Sequence, residues 1–498
     1  MSNAQPEPTL FPSGTTPSVR MSTSAGRWVL GAAVLGSSVA GIDATVVNIA
    51  LPAIGRDLHG GFQTLQWTVT AYTLTLAALI LLGGSCGDRY GRRRVFLFGV
   101  VWFAVASLAC GLAPNAGWLV AARALQGVGG ALLTPASLAI IQASFVPSDR
   151  SRAVGAWAGL SGLSVAVAPF LGGWLLAVAS WHWVFLINPP VAVVIVAITV
   201  RHVPESRDNE ATGTLDVTGA ALGFLALSAL TYAAIRATGD GFGSGIVLGV
   251  GAAGVGLFVA FLSWERRAVN PMMPLGIFTS VQFSASNAVT FLVYAALSGF
   301  LFLLVVELQV VGGFSPLLAG AALLPMTAFT LLLSERSGML AQRIGPRLQM
   351  SVGPLVCAAG VLMTLALSTN ASYLRDVLPA LSVFGLGLAI MVAPLTATVL
   401  AAVSDARAGI ASGVNNAVAR TAALLAVATL PAVIGLSGDS YAHPTAFLGA
   451  YQEAVWLCAA GMVLGGLLAA VTIRNPRTAG DLQTLPHRGS QCSDLIHV

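Results

Sequence analysis

The sequence predicts an all-α integral membrane protein with fourteen transmembrane helices. Of its 498 residues, 56% are hydrophobic and only 9% are charged, whereas about a quarter of the residues are charged in a typical soluble protein. The mean hydropathy is +0.83. Fourteen apolar runs follow one another along the chain, and a run of about 20 apolar residues is long enough to cross a bilayer as a helix.

The composition also excludes several classes of function. All 24 basic residues are Arg, so the chain has neither the Lys of a phosphate-binding P-loop nor a Lys for a Schiff base with pyridoxal phosphate. The five Cys residues form no C-x-x-C pair and no Cys/His cluster with metal-ligand spacing. We therefore expect no metal site, no bound cofactor, no P-loop ATPase and no pyridoxal phosphate enzyme.

The apolar runs place the spans in order along the chain. Residues 1–27, rich in Ser, Thr and Pro, are predicted to form a disordered tail, and a second tail covers 475–498. The first run begins at Trp28, and we interpret it as a retained helix because it is too long for a signal-peptide core. The spans are expected near 28–54, 65–84, 94–112, 116–142, 151–178, 182–201, 215–236, 244–264, 282–308, 316–336, 349–368, 376–402, 408–436 and 450–473.

The distribution of Arg residues predicts the orientation. One side of the membrane contains only Arg56, Arg236 and Arg375 in its loops. The other side contains Arg89, Arg92, Arg93, Arg94, Arg150, Arg152, Arg201, Arg207, Arg266, Arg267, Arg343, Arg347 and Arg407, together with the Arg residues of both tails. Because cytoplasmic loops are enriched in Arg and Lys, both termini are predicted to be cytoplasmic. The net charge of +5 is then explained by membrane topology rather than by nucleic-acid binding.

The chain has a weak internal symmetry. Arg89-Tyr-Gly-Arg-Arg93 follows the second span and Arg343-Ile-Gly-Pro-Arg347 follows the tenth. Repeated halves are typical of secondary transporters. We predict six-helix bundles at 28–201 and 282–474, with two extra spans in the linker 202–281.

A carboxylate inside the first span is the first candidate functional group. Asp43 lies 15 residues beyond Trp28, or about 22 Å at 1.5 Å per residue, which is the outer half of a bilayer core of about 30 Å. An ionisable residue at this depth is a functional candidate because its burial in lipid is unfavourable. The alternative is a neutral or paired structural Asp.

Arg123 in the fourth span is predicted to lie at a similar depth. It is followed by Gln126, and Gly127 and Gly130 share its helix face, so another helix can approach closely. We expect an Asp43–Arg123 pair or a proton relay between them; a static ion pair joining two helices is the alternative. Burial disfavours a charged carboxylate and a nearby guanidinium favours it, as a proton switch requires.

The cytoplasmic loop after the second span is a candidate conformational latch. Gly91 permits a tight turn, and Asp88 is placed to cap a helix or to pair with Arg. The alternative is a cluster of positive charge that only orients the protein. The latch residues are Gly84, Asp88, Arg89, Gly91, Arg92 and Arg93.

These segments resemble motifs of the major facilitator superfamily, in particular of its fourteen-span drug:proton antiporter family. The loop 84–94 is similar to motif A, Asp43–Pro52 to the first-span signature, and Arg123–Gly130 to motif B, which that superfamily ties to proton coupling. The match continues through Gln66-Trp67…Tyr72 and the segment Trp181-His-Trp-Val-Phe-Leu-Ile-Asn-Pro189. The resemblance implies a major facilitator fold over about 28–474.

The fifth span resembles the antiporter motif of the same family through Pro169, Gly172 and Gly173. Ala168 stands where the family usually has Gly, so this helix is expected to bend less freely.

Three further positions depart from the family pattern. His182 stands where Arg is frequent, and Gln342 replaces an acid in the second-half copy of the latch. Glu307 stands where an aromatic residue is common. Its depth predicts a solvated carboxylate at or beyond the outer edge of the hydrocarbon, where it would attract cationic compounds.

Polar and aromatic residues within the spans are candidates for a substrate cavity. Asn415, Asn416 and Arg420 in the thirteenth span are either substrate contacts or interhelical hydrogen-bonding groups. The candidates are Asn48, Trp67, Tyr72, Gln126, Tyr294, Glu307, Asn415, Asn416 and Arg420.

The resemblance implies a proton-coupled antiporter that exports lipophilic or amphiphilic drugs across the bacterial plasma membrane by alternating access. Its expected partners are the small-molecule substrate, protons and the lipid bilayer, without nucleic acid or an obligatory protein partner. Three alternatives stay open: an exporter of one endogenous natural product, an importer on the same fold, and a membrane enzyme or receptor. No nucleophile–base–acid cluster supports the last of these.

Overall fold

The computed structural model describes residues 19–207, 214–369, 371–404, 407–437 and 443–475. Within them, fourteen helices are long and apolar enough to cross a membrane. We number them α1 Ser24–Asp57, α2 Phe62–Tyr90, α3 Arg92–Gly111, α4 Ala116–Ser144, α5 Pro147–Val178, α6 Trp183–His202, α7 Val217–Asp240, α8 Gly245–Glu265, α9 Val281–Val310, α10 Pro316–Ile344, α11 Pro346–Ala366, α12 Tyr373–Ala401, α13 Ala408–Val433 and α14 Pro444–Thr472. The predicted number and order of spans are confirmed.

The helices pack as two six-helix bundles and an inserted pair. Helices α1–α6 form the first half and α9–α14 the second. Helices α7 and α8 pack on each other, and α7 also contacts α2 and α13. We call the face at which α1 begins the amino-terminal face and the other the opposite face.

Part of the predicted amino-terminal tail is ordered, which corrects the expectation for residues 19–27. Val19 forms a β-bridge with Phe145, and the amide of Met21 donates to Asp149 at 2.9 Å. The Ser/Thr-rich composition that suggested disorder supplies a helix cap instead, since the Thr23 hydroxyl accepts from the Gly26 amide. Residues 1–18, 208–213 and 476–498, which include most of both predicted tails, lie outside the described residues.

Both halves have a glycine with positive φ between two helices at the amino-terminal face. Gly91, between α2 and α3, has φ +106°, and Gly345, between α10 and α11, has φ +83°. Glycine suits both positions because side-chain-bearing residues rarely adopt such φ values. A side chain from the segment after the last helix of each half occupies the space beside each glycine, Glu205 in the first half and Asn475 in the second.

Along α5, the halves touch near the opposite face and separate toward the amino-terminal face. A Cβ at Gly173 would lie 2.6 Å from the Leu317 Cα of α10. Gly155 is five helical turns earlier on the same face of α5, and a Cβ there would meet open space. Helices α5 and α10 are therefore in close contact near the opposite face, whereas this face of α5 has no close neighbour at the Gly155 position.

Other contacts close the opposite face. The Gln66 amide of α2 donates to the carbonyls of Val427 and Ala428 in α13, both at 3.1 Å. The Gln309 amide of α9 donates to the Ile49 carbonyl of α1 at 3.0 Å. The α2–α13 contact also continues to the amino-terminal side, where Leu81 lies beside Gly413.

Candidate functional site

Asp43 and Arg123 form a buried ion pair between α1 and α4. Arg123 Nη1 donates to Asp43 Oδ2, and both residues are only 1% exposed. The second carboxylate oxygen accepts from Gln126 Nε2 at 2.8 Å and from Asn188 Nδ2 at 3.1 Å. The contact expected between Asp43 and Arg123 is therefore present, and three donors satisfy the carboxylate.

Arg123 also has neutral partners that do not depend on Asp43. Its Nε donates to the Thr68 carbonyl at 3.0 Å, and its Nη1 donates to Gln126 Oε1 at 2.7 Å. The guanidinium carbon lies 4.4 Å from the centre of the Tyr72 ring, a cation–π contact. Because an unpartnered buried charge is strongly destabilising, these contacts would allow the guanidinium to stay in place when Asp43 becomes neutral.

Close approach of α2 and α4 makes this cluster possible. A Cβ at Gly127 would collide with Tyr72 and Thr75 of α2. The Thr75 hydroxyl donates to the Ala124 carbonyl at 2.8 Å. Glycine at position 127 thus lets α2 bring the Thr68 carbonyl and the Tyr72 ring to Arg123.

Asn188 is a site residue that the sequence analysis missed. Besides Asp43, its side-chain nitrogen contacts the Ser107 hydroxyl at 2.9 Å, and that hydroxyl donates to the Phe185 carbonyl. The sequence did mark Asn188 as a residue of interest, because it belongs to the segment 181–189 that contributed to the family resemblance. It did not identify Asn188 as a partner of Asp43, since sequence spacing does not reveal which face of α6 meets α1.

The predicted latch residues form contacts within the first half. Asp88 pairs with Arg92 at 2.8 Å, one turn apart, and the Arg92 amide donates to the Ser206 carbonyl. Glu205, which the sequence analysis did not single out, accepts from the Arg93 amide at 3.1 Å and lies 3.7 Å from the Arg94 guanidinium. In this conformation, hydrogen bonds and an ion pair thus connect the loop between α2 and α3 to the segment after α6.

The second-half counterpart of the latch uses neutral groups. The Arg347 amide donates to Asn475 Oδ1 at 3.1 Å, and Asn475 Nδ2 donates to the Ile344 carbonyl at 3.2 Å. The position of Asn475 corresponds to that of Glu205. Asn475 is uncharged whereas Glu205 is an acid, so the electrostatic attraction between loop and segment is stronger in the first half than in the second.

The motif of α5 lies between the two halves. Gly172 packs on α1, where a Cβ would lie 2.8 Å from Val46, and Gly173 packs on the backbone of α10. A Cβ at Gly320 of α10 would collide with the Pro169 carbonyl. The motif therefore connects the helix that carries Asp43 with the contact that closes the opposite face.

Three residues predicted to line a substrate cavity lie in protein contacts instead. Tyr72 and Gln126 are almost completely buried in the Asp43–Arg123 cluster. Trp67 faces the inserted helix α7, with its ring 6.4 Å from that of Tyr232. The aromatic and polar character of these residues identified positions within the bundle but not the neighbour that each one faces.

The remaining candidates lie along α1, α9 and α13. Asn48 is half-buried, and its Oδ1 has no hydrogen-bond partner among the described residues. Asn415 donates to Asn287 at 3.1 Å and to Thr290 at 2.9 Å, the interhelical alternative of the sequence analysis. The Asn416 amide donates to the Ser412 carbonyl of its own helix, and Asn416 is exposed.

Arg420 lies at the junction of the two halves. It is half-buried on α13, a helix that contacts both α2 of the first half and α9 of the second. Across the described residues it forms no hydrogen bond and no ion pair. An unpaired guanidinium in the middle of a span calls for a polar partner from outside its own helix.

Glu307 is not at a solvated mouth, and that expectation was wrong. The residue is 1% exposed, and it lies in the hydrophobic core of the second half near Tyr451 of α14. Exposure of Glu307 was expected from its depth along α9. Depth fixes the position along the membrane normal, whereas exposure depends on which way the side chain points within the bundle.

Comparisons with known proteins agree with this architecture. Residues 33–428 match the sequence profile of the Major Facilitator Superfamily. The puromycin resistance protein pur8 of Streptomyces alboniger is 36% identical over 88% of this chain and 90% of its own length. The multidrug efflux pump LfrA of Mycolicibacterium smegmatis is 34% identical over 84% and 82%.

Solved structures support the fold alone. A bacterial homologue of the human lysosomal transporter Spinster, in an inward-facing conformation, superposes with a TM-score of 0.63 at 16% identity, covering 92% of this chain and 100% of that one. A D-xylose–proton symporter gives a TM-score of 0.63 at 14% identity, covering 91% and 99%.

Proposed function

Because the chain belongs to the major facilitator superfamily, we propose that it exports lipophilic or amphiphilic compounds from the bacterial cytoplasm in exchange for protons. Membership makes it a multi-pass membrane transporter rather than an enzyme. Its relatives are multidrug and antibiotic resistance proteins over most of its length. The proton gradient, and no bound cofactor, would supply the free energy, and no obligatory protein partner is needed.

The amino-terminal face is proposed to be cytoplasmic, and the membrane to be the plasma membrane. The Arg-rich loops, including 89–94 and 343–347, lie on the same face as Ser24 at the start of α1. Enrichment of Arg in cytoplasmic loops supports this orientation. Substrates would then enter from the cytoplasm or from the inner leaflet, on the side where α5 has no close neighbour at Gly155.

The partners of the Asp43 carboxylate carry the proposal of proton coupling. Asp43 is the acid, and Arg123 keeps Thr68, Gln126 and Tyr72 as partners when Asp43 gains a proton. A switch of this kind needs a carboxylate whose environment tolerates both protonation states. We propose that Asp43 is protonated when the opposite face is open and releases the proton toward the cytoplasm.

Alternating access would proceed by separating the contacts that close the opposite face. These are the α5–α10 contact at Gly173, the Gln66 bonds to α13 and the Gln309 bond to α1. Val46, which packs on Gly172, lies one turn from Asp43. Movement of α5 is therefore transmitted to the helix that carries the acid. The first-half loop, with Asp88, Arg89 and Arg92, would act as the latch at the cytoplasmic ends.

Arg420 is the substrate contact that the geometry favours most. Its guanidinium has no hydrogen-bond or ion-pair partner among the described residues, and its helix α13 contacts α2 and α9 between the halves. A carbonyl, phenolate or carboxylate oxygen of the substrate would supply the missing acceptor. Asn416, one turn earlier and exposed, would line the same cavity, and so would Asn48 on α1.

A narrow exporter of one natural product is the second candidate. It is favoured by relatives named for single antibiotics, among them a tetracenomycin C resistance and export protein of Streptomyces glaucescens that is 34% identical over 80% of this chain. A susceptibility panel in a pump-deficient host separates the candidates. Resistance to several unrelated compounds supports a multidrug pump, whereas resistance to one supports the narrow exporter.

Direction and energy source are tested in inside-out membrane vesicles. An exporter accumulates a fluorescent amphiphile such as ethidium when the vesicles are energised, and it loses the accumulation when nigericin collapses the pH gradient. Asp240→Asn, in an exposed pair with Arg236 of α7, is a matched control for Asp43→Asn. Accumulation that survives nigericin, or that the Asp43→Asn variant retains in full, would contradict the proposal.

A further inference from the structure

A groove lies between α10 and α11 on the amino-terminal side of the membrane. These two helices pack only loosely on each other, whereas both pack closely on α12, which forms the floor of the groove. Its volume is about 340 Å³, which is enough for a small ligand. The residues that line it are Leu333, Arg336, Ser337, Leu340, Ile344, Leu348, Gln349, Val352, Ala389 and Ile390.

The groove lies at the depth of the lipid headgroups and of the adjoining hydrocarbon. Helix α10 has 29 residues and is therefore about 43 Å long, which matches a bilayer together with its headgroup regions. The groove extends from Ile344, the last residue of α10, to Leu333, about 16 Å below it. Leu340, Ile344 and Leu348 on its walls are exposed. The groove is thus open to the membrane, where lipid is its neighbour.

Arg336 is an unpaired charge on one wall of this groove. It lies eight residues before the end of α10, a distance of about 12 Å, from which its long side chain can extend to the level of the phosphates. The residue is exposed, and in the described part of the chain it forms no hydrogen bond and no ion pair. The adjacent Glu335 lies about 100° around the helix and does not line the groove. A guanidinium with apolar neighbours at this depth calls for an anionic partner.

Gln349 adds a hydrogen-bond acceptor without a donor. The residue is 4% exposed, and its Nε2 donates to the Ser337 carbonyl at 2.9 Å and to the Ser337 hydroxyl at 2.8 Å. Because a carbonyl can only accept, this contact fixes the orientation of the amide. The remaining atom, Oε1, has no hydrogen-bond partner among the described residues. A buried acceptor in this position is unfavourable, so the groove suits a ligand that brings a hydroxyl group.

The corresponding positions of the first half are apolar. When Gly338 is aligned with Gly84 of the loop between α2 and α3, the counterparts of the three polar lining residues are Leu82, Gly83 and Val95. A Cβ at Gly83 would collide with the Ala131 carbonyl of α4. In the second half, by contrast, α10 and α12 leave room for Ser337, whose hydroxyl donates to the Ile390 carbonyl at 2.6 Å. The repeat of the two halves therefore does not account for the polar groups of this groove.

We propose that the groove binds one anionic phospholipid with a hydroxyl-bearing headgroup, of the phosphatidylglycerol type, from the leaflet at the amino-terminal face. Its phosphate accepts from the Arg336 guanidinium, a headgroup hydroxyl donates to Gln349 Oε1, and an acyl chain continues past Leu333 into the hydrocarbon. A net negative charge is favoured because Arg336 is the one charged side chain among the lining residues. The inference concerns lipid binding, and it does not depend on proton exchange at Asp43 or on substrate binding at Arg420.

The first test measures the affinity of the purified protein for added lipids with identical acyl chains, by native mass spectrometry. The wild type should retain one phosphatidylglycerol more tightly than phosphatidylcholine or phosphatidylethanolamine. Arg336→Gln should weaken that adduct by about tenfold, because it removes a charge-assisted hydrogen bond. Val352→Trp, which fills the groove from an exposed position of α11, should weaken it as well.

Matched control variants distinguish this site from general attraction of anionic lipid. Arg266→Gln, at an exposed position directly after α8, and Leu248→Trp, at an exposed position within α8, lie outside the groove. Both should retain phosphatidylglycerol as the wild type does. Equal affinity of the wild type for the three lipids, or an equal loss in the groove variants and their controls, would overturn the proposal.

The second test concerns the headgroup. Phosphatidylmethanol has the same phosphate charge as phosphatidylglycerol but no headgroup hydroxyl, so the wild type should bind it more weakly. Gln349→Met, which removes the acceptor at similar volume, should reduce that difference. Equal affinity of the wild type for the two lipids would contradict the role of Gln349. Excess inorganic phosphate should not displace phosphatidylglycerol, and displacement would indicate a site for a free anion instead of a lipid.

Discussion

Asn188 of α6 donates its side-chain amide to the Asp43 carboxylate of α1 at 3.1 Å. This bond places a third helix beside the pair formed by α1 and α4. Because a hydrogen-bond donor favours the charged form of its acceptor, Asn188 is expected to affect proton exchange at Asp43 without exchanging a proton itself. It is therefore a positioning residue, and its role is separable from that of Arg123.

We expect Asn188→Ala to shift the pH dependence of transport upward. Loss of one of three donors disfavours the charged carboxylate, so Asp43 would release its proton only at higher pH. A hydrogen bond to a charged group contributes about 1.5–3 kcal/mol in all, and only its difference between the two protonation states moves the profile, so the shift should stay below about two pH units. Transport rate against pH checks this. Ser107→Ala, which removes only the partner of Asn188, should shift the profile less. An unchanged profile in Asn188→Ala would exclude the tuning role.

Two glycines on one face of α5 should have opposite effects on the conformational equilibrium. Gly173→Val would collide with the Leu317 backbone, so it should disfavour closing of the opposite face. Gly155→Val meets open space in this conformation and should instead oppose closing of the amino-terminal face. The separation of spin labels at Ser180 and Leu374, exposed positions in the two halves at the opposite face, should rise for Gly173→Val and fall for Gly155→Val. The same direction of change in both variants would contradict this assignment.

Glu205→Gln should slow turnover more than Arg94→Gln does. The Arg94 guanidinium is 80% exposed and 3.7 Å from Glu205, and exposed ion pairs contribute at most about 1 kcal/mol. Glu205 in addition accepts from the backbone amides of Arg93 and Ser206. Both variants should bind substrate with normal affinity, since the loop lies at the helix ends. Reduced affinity with a normal turnover would place this loop in the binding site instead. The same comparison of affinity and turnover applies to replacement of Asp88 or Arg92.

Arg420→Gln should weaken binding of an anionic probe by about tenfold or more, because about 1.4 kcal/mol of a charge-assisted hydrogen bond corresponds to a factor of ten. Pyrenebutyrate and its methyl ester form a suitable pair, since only the acid carries a carboxylate. The wild type should prefer the acid, Arg420→Lys should keep part of the preference, and Arg420→Gln should lose it. Arg266→Gln, at an exposed position directly after α8, controls for loss of positive charge. Equal affinity of the wild type for both probes would argue against an anion contact at Arg420.

The sequence predicted the elements of this fold because each depends on local composition. Long apolar runs determine the spans, and the intramembrane charges Asp43 and Arg123 were found at matching depth because helical rise converts residue number into distance. Asn188 and Glu205 were missed because their roles depend on which helix faces which. Glu307 was misplaced for the same reason: its depth was estimated from the sequence, but its direction within the bundle was not. Trp67 likewise faces an inserted helix whose position beside α2 no local pattern specifies.

The central claim is that export is driven by proton exchange at Asp43. It is tested most directly by measuring two activities of Asp43→Asn in proteoliposomes with ethidium. Asn has nearly the same volume as Asp but cannot exchange a proton. The account predicts that the variant still exchanges labelled for unlabelled substrate across the membrane. It also predicts that a pH gradient no longer drives substrate accumulation and that substrate no longer drives proton flux. Accumulation and proton flux at wild-type levels in a correctly inserted Asp43→Asn variant would contradict the account.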